Sequence, residues 1–191
     1  MSELEINKLG VVGTIILILS LFVPWWEMSL EASCGIDHAG IRQSIRISLN
    51  LWHIMATNYP VQALAIYIVD FLPAIIFYIC SIALGIAGSI LSTGKKEMFI
   101  SSGLFTILSL VTFTAILSYS LLKVATSYFL FSYPGIVNKL VPFPKASLFS
   151  SGSYTYEEVS VSYSTYLSIG FWLVLAAAII FFVAFYKQLS K

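Results

Sequence analysis

Four stretches of this chain are too long and too apolar for an ordinary soluble domain. Leu9 to Val23 holds no charged residue, Gln62 to Leu91 only Asp70, Met98 to Tyr133 only Lys123, and Thr165 to Tyr186 none. A helix rises about 1.5 Å per residue, so roughly 20 apolar residues cross a hydrocarbon layer. Of the 191 residues, 59% are hydrophobic and 10% charged, against roughly 25% charged in soluble domains. Residues 1–191 therefore read as a single integral membrane domain, with helices at about 9–24, 67–91, 98–123 and 165–186. A net charge of +1 provides no basic face for phosphates, so nucleic acid is excluded as a partner.

No small-residue cleavage site of the A-x-A kind follows the first stretch, so it reads as a retained helix rather than a secretory signal, with Trp25 and Trp26 as an interfacial aromatic belt. Pro73 is expected to bend the second helix. Gly85 and Gly88, beside Ala83 and Ala87, form a small-residue surface for close helix packing. The third stretch exceeds one bilayer crossing, so the part beyond Lys123 reads as a helical or interfacial extension reaching Tyr133, stopped by Pro134-Gly135.

Between the helices, residues 25–61 and 134–164 change period. Met28 and Leu30 alternate with Glu27, Ser29 and Glu31. Ile45, Ile47, Leu49 and Leu51 alternate with Arg46, Ser48 and Asn50, and Val159, Val161 and Tyr163 with Glu158, Ser160 and Ser162. Alternation of this kind marks strands with one apolar face. The expected architecture is an all-α membrane protein, a four-transmembrane-helix bundle carrying a small extracellular antiparallel sheet built from both outer loops. Lys8, Lys95, Lys96, Lys187 and Lys191 crowd the short segments, which places both termini in the cytoplasm of a multi-pass plasma-membrane protein.

Trp25 or Trp26 just past helix one, the Asn50-Leu51-Trp52 element, a projecting third helix and a strand leading into helix four together resemble the claudin and peripheral-myelin-protein-22 group of tetraspan proteins. That group has Gly-Leu-Trp at the second position and a cysteine pair in its first outer loop, where this chain has Cys34 alone. The resemblance implies one antiparallel sheet standing on the bundle.

Asp70 and Lys123, near the outer ends of adjacent helices, read as an ion pair pinning helices two and three, or as part of an ion or proton relay. Tyr128, Phe129, Phe131, Phe143, Phe149, Tyr154 and Tyr156 read as an interaction surface or as a small core beneath the sheet; an apolar segment outside lipid favours the surface. Cys34, Asp37, His38 and His53 are of metal-ligand type, yet turn chemistry and an interfacial histidine explain them more simply. Glu157-Glu158 reads as a solvated strand edge. Phosphate loops, a nucleophile elbow, an HExxH pair, a haem signature and histidine pairs for haem are absent from the sequence, so no enzyme and no cofactor are expected. The expected role is non-enzymatic assembly through the outer sheet, with membrane lipid and a second copy or another membrane or surface protein as partners. The alternative is a small transporter or an accessory subunit of a membrane redox or transport complex.

Overall fold

The computed structural model describes residues 7–34, 41–57, 68–91, 95–133 and 136–190. Along the chain it places helix α1 (Lys8–Ser20), strands β1 (Trp26–Cys34), β2 (Ile41–Leu49) and β3 (Ile54–Thr57), and a 3-10 turn at Ile68–Phe71. Helices α2 (Leu72–Ile90) and α3 (Lys95–Val124) follow. Strands β4 (Tyr128–Tyr133), β5 (Ile136–Pro142), β6 (Ser150–Tyr156) and β7 (Val159–Leu167) then lead into helix α4 (Ile169–Leu189).

Three helices are long and apolar enough to cross a membrane: Val69–Ile90, Lys95–Val124 and Ile169–Leu189. The expectation of four spanning helices is corrected by α1, which has only 13 helical residues and so a length of about 20 Å against a layer of roughly 30 Å. It stops at Ser20 because a tight turn follows, in which Leu21 and Phe22 donate to the Ile18 and Leu19 carbonyls. Pro24 then brings no N–H to the backbone, and Trp25 N–H bonds to the Leu49 carbonyl at 2.8 Å. The uncharged run continues through this turn to Val23, so composition alone does not mark where the helix ends.

Two other boundaries move. α3 ends at Val124 rather than extending to Tyr133, because the hydroxyls of Thr126 and Ser127 donate to the carbonyls of Lys123 and Val124 at 2.7 and 2.6 Å, capping the helix. The aromatic run beyond is strand β4, paired with β5, as suits side chains that pack on a pleated surface. Pro73 does not bend α2 but lies in its first turn, where a missing N–H costs nothing.

The sheet is also larger than expected: five antiparallel strands in the order β3-β2-β1-β7-β6, plus the two-stranded β4-β5. β1 joins the two polar segments, with Trp26 opposite Leu167 and Cys34 opposite Val159. Residues alternate between faces, so Trp26, Met28, Leu30, Ala32, Ile45, Ile47, Leu49, Val159 and Val161 are buried on one side. Phe129, Val141 and Phe143 join the same core.

The sheet stands at one end of the helices, since α1 leads into β1 and β7 leads into α4. Small and hydroxylated residues bring the helices together. A Cβ on Gly85 would lie 2.6 Å from Thr14 Oγ1, and one on Gly88 3.0 Å from the Phe99 ring. Between α2 and α3, Ser81 Oγ is 2.5 Å from Thr106 Oγ1, Ser102 donates to the Ser81 carbonyl at 2.8 Å, and Ser109 donates to the Ala74 carbonyl at 2.9 Å. Such bonds hold helices together where neither water nor lipid offers a partner.

Candidate functional site

The side chains that alternate away from the core cover the opposite face of the five-stranded sheet, and eleven of the seventeen are serine or threonine. Cross-strand register arranges them in four rows. The first is Met55, Ser48, Glu27 and Tyr166; the second Thr57, Arg46, Ser29, Ser164 and Ser151. The third is Ser44, Glu31, Ser162 and Ser153, and the fourth Arg42, Ser33, Ser160 and Thr155. Along β1 acid alternates with serine, and along β2 serine alternates with arginine. Glu31, Ser33, Arg42, Ser153, Ser160 and Ser162 border a shallow depression of 280 Å³.

Glu27 is held within the chain: Tyr166 O–H donates to one carboxylate oxygen at 2.8 Å and Ser168 O–H to the other at 3.1 Å. The bond to Glu27 favours the protonated phenol and raises the Tyr166 pKa. Glu31, Arg42 and Arg46 are exposed, and among the described residues the one ion pair is Lys96–Glu97. The face therefore offers one free carboxylate and two free guanidinium groups over a floor of serine.

On the core side, Tyr154 O–H donates to the Pro142 carbonyl, tying β6 to the β4-β5 hairpin. Burial, and secondarily the nearby Tyr163, push this phenol up to about 12. An unfolded tyrosine ionises near pH 10, so the native chain holds this proton more tightly. Its contribution is complete below about pH 10 and is lost as pH rises through about 12. Tyr154→Phe should lose less stability than the parent chain across that alkaline window in denaturant titrations, while being about 1 kcal/mol weaker at neutral pH. Equal alkaline losses in the two chains would contradict this account.

The structure sorts the residues singled out in the sequence. Trp25 and Trp26 are fully buried rather than a belt at the lipid headgroups. The Trp25 ring packs on Tyr78 and Phe113, with centroids 5.4 and 5.0 Å away, and its Nε1 donates to the Ser20 carbonyl at 3.0 Å. Among the described residues Trp26 Nε1 has no hydrogen-bond partner. The Asn50 side-chain oxygen accepts from the Trp52 and His53 N–H groups at 3.0 and 2.6 Å, closing a turn that buries Leu51 and leaves Trp52 exposed.

Of the aromatic set, Tyr128, Phe149 and Tyr156 are exposed, but Phe129 and Phe143 are core, in edge-to-face contact at 5.3 Å. Tyr154 is half-buried. For Phe131 the described feature is its backbone place opposite Lys139. The inward positions of a hairpin packed against the sheet must be apolar, which is why the aromatic run divides between core and surface.

Asp70 and Lys123 form no ion pair: the Lys123 ammonium sits over the Tyr119 ring on its own helix, 4.5 Å from the centroid. Because α3 ends at Val124, the Lys123 side chain is exposed and can lie back along its own helix. The candidate metal set is also divided. Cys34 ends β1 at one end of the sheet while His53 follows Asn50 at the other, about 25 Å away at strand rise. Asp37 and His38 lie outside the described residues. The open face itself was not singled out in the sequence, although its signal was present in the alternate serines of β1, β6 and β7.

In comparisons with known proteins, the chain matches no protein-family model and no curated protein sequence.

Proposed function

We propose that this chain is a non-enzymatic, multi-pass protein of the plasma membrane whose sheet mediates protein assembly, laterally or between opposed surfaces. The observation that carries this reading is the open sheet face, which combines a serine-rich floor with exposed charges of both signs. A second feature supports it: β6 is an edge strand of seven residues with no charge or proline to prevent pairing with another chain. Lys8, Lys95, Lys96 and Lys187 gather at the end of the helices away from the sheet, where Asn7 N–H bonds to the Ser89 carbonyl at 3.3 Å. By the positive-inside rule that end, and both termini with it, is assigned to the cytoplasm and the sheet to the outside.

Extraction in mild detergent followed by mass measurement tests the reading. The expected species is an oligomer or a complex with a co-purifying protein, and a clean monomer overturns it.

A further inference from the structure

We propose that the partner is a second copy of this chain, docked face to face through β1 and β2 about a two-fold axis parallel to the strands. This inference rests on the assembly reading above and names its occupant. The argument is charge complementarity combined with shape. In register, Glu27 lies beside Ser48, Ser29 beside Arg46, Glu31 beside Ser44 and Ser33 beside Arg42. A two-fold axis running along the strands, midway between β1 and β2, lays each β1 over the partner's β2 with the same rows opposed. Arg46 then faces the partner's Ser29 and Arg42 faces the partner's Ser33. The partner's Glu31 falls between the two guanidinium groups.

Each charged side chain of β1 and β2 thus meets a serine, a hole of the right size, and its diagonal neighbours carry the opposite sign, while at the row's edge Tyr166 comes opposite the partner's Met55. Rotation about an axis across the strands gives the opposite result, because β1 then covers β1 and the two acidic columns face each other. Like charges facing across an interface cost several kcal/mol, so the axis along the strands wins.

The three central strands are nine residues long. With the axis between β1 and β2, these two strands cover each other and the four-residue β3 covers part of β7, while β6 lies outside the overlap. At about 4.8 Å between strands and 3.3 Å per residue the opposed strands present roughly 400 Å² per copy, a small contact in which charge complementarity carries the specificity. A self-complementary pattern is what a closed two-fold contact requires, since the same patch serves both copies.

The test is a charge exchange measured by sedimentation of the full chain in mild detergent. Arg42→Glu/Arg46→Glu in one chain sets acid against acid, and Glu31→Arg in another sets base against base. Each variant alone should show a dimer dissociation constant raised on the order of 100-fold. Mixed in equal amounts, they should re-form a dimer within about threefold of the parent affinity, because both contacts again join opposite signs. All three positions are exposed, and recovery on mixing excludes misfolding as the cause of the loss. If both variants stay dissociated when mixed, the inference is overturned. If neither reversal changes the mass of a parent oligomer, the assembly reading survives and this face is not its contact. A parent chain that is monomeric overturns both.

Discussion

Trp25→Ala should destabilise the detergent-solubilised chain by about 3–5 kcal/mol, the cost of emptying a large aromatic site in a packed interior. Trp25 is 0% exposed and sits where the helices meet the sheet. Its ring contacts Tyr78 of α2 and Phe113 of α3. Its backbone N–H reaches the Leu49 carbonyl at 2.8 Å, and its carbonyl accepts from Ser168 N–H at 2.9 Å. One residue therefore links α1, α2, α3, β2 and the entry to α4. Trp25→Phe should cost less, since it keeps a ring in the site and loses mainly the donor to the Ser20 carbonyl. Thermal or denaturant unfolding in one detergent measures both. A loss under about 1 kcal/mol for the alanine variant would show that this junction is not tightly packed.

The next largest effect is expected for Gly170→Ala, a change of one methyl group. Gly170 N–H donates to the Pro24 carbonyl at 2.9 Å. A Cβ at this position would lie 2.7 Å from that same oxygen, 2.9 Å from the Val23 carbonyl oxygen and 2.5 Å from the Trp25 ring. Two of these neighbours are backbone atoms, so no rotamer change relieves the crowding. The expected cost is about 3 kcal/mol, at the upper end of overpacking penalties. Ile169→Ala, at the exposed neighbouring position, is the control and should change stability by less than about 0.5 kcal/mol. Similar unfolding midpoints for the two variants would refute the close approach of α4 to the turn after α1.

Both predictions concern residues whose importance was only partly legible in the chain. A tryptophan after an apolar run, such as Trp25, reads equally well as a ring at a lipid surface or as core. The choice depends on whether Tyr78 and Phe113, distant in sequence, arrive beside it. Gly170 was not singled out at all, because its role is set by a carbonyl from another element. Gly85 and Gly88 were legible as a small-residue surface, but which helices they admit was not: Gly85 meets Thr14 and Phe181, and Gly88 meets Phe99 and Met98. For Asp70 and Lys123, nearness along adjacent helices does not amount to pairing. A cation at the end of a helix has a closer aromatic ring to rest on.

The candidate site follows the same division. Alternation of serine with apolar residues marks each strand separately, but the open face exists only once β1 pairs with both β2 and β7. The acid and base columns become adjacent through that register and are invisible in either strand alone.

The sequence alone determined the long apolar helices and the strand character of the polar segments. These properties depend on local composition and on the period at which side chains repeat. Tertiary structure decided that α1 is short, that the aromatic run after α3 is a hairpin, and that serines, acids and arginines from distant segments share one surface. Those outcomes depend on which backbone groups find partners across the chain, and that competition is settled only when the elements meet.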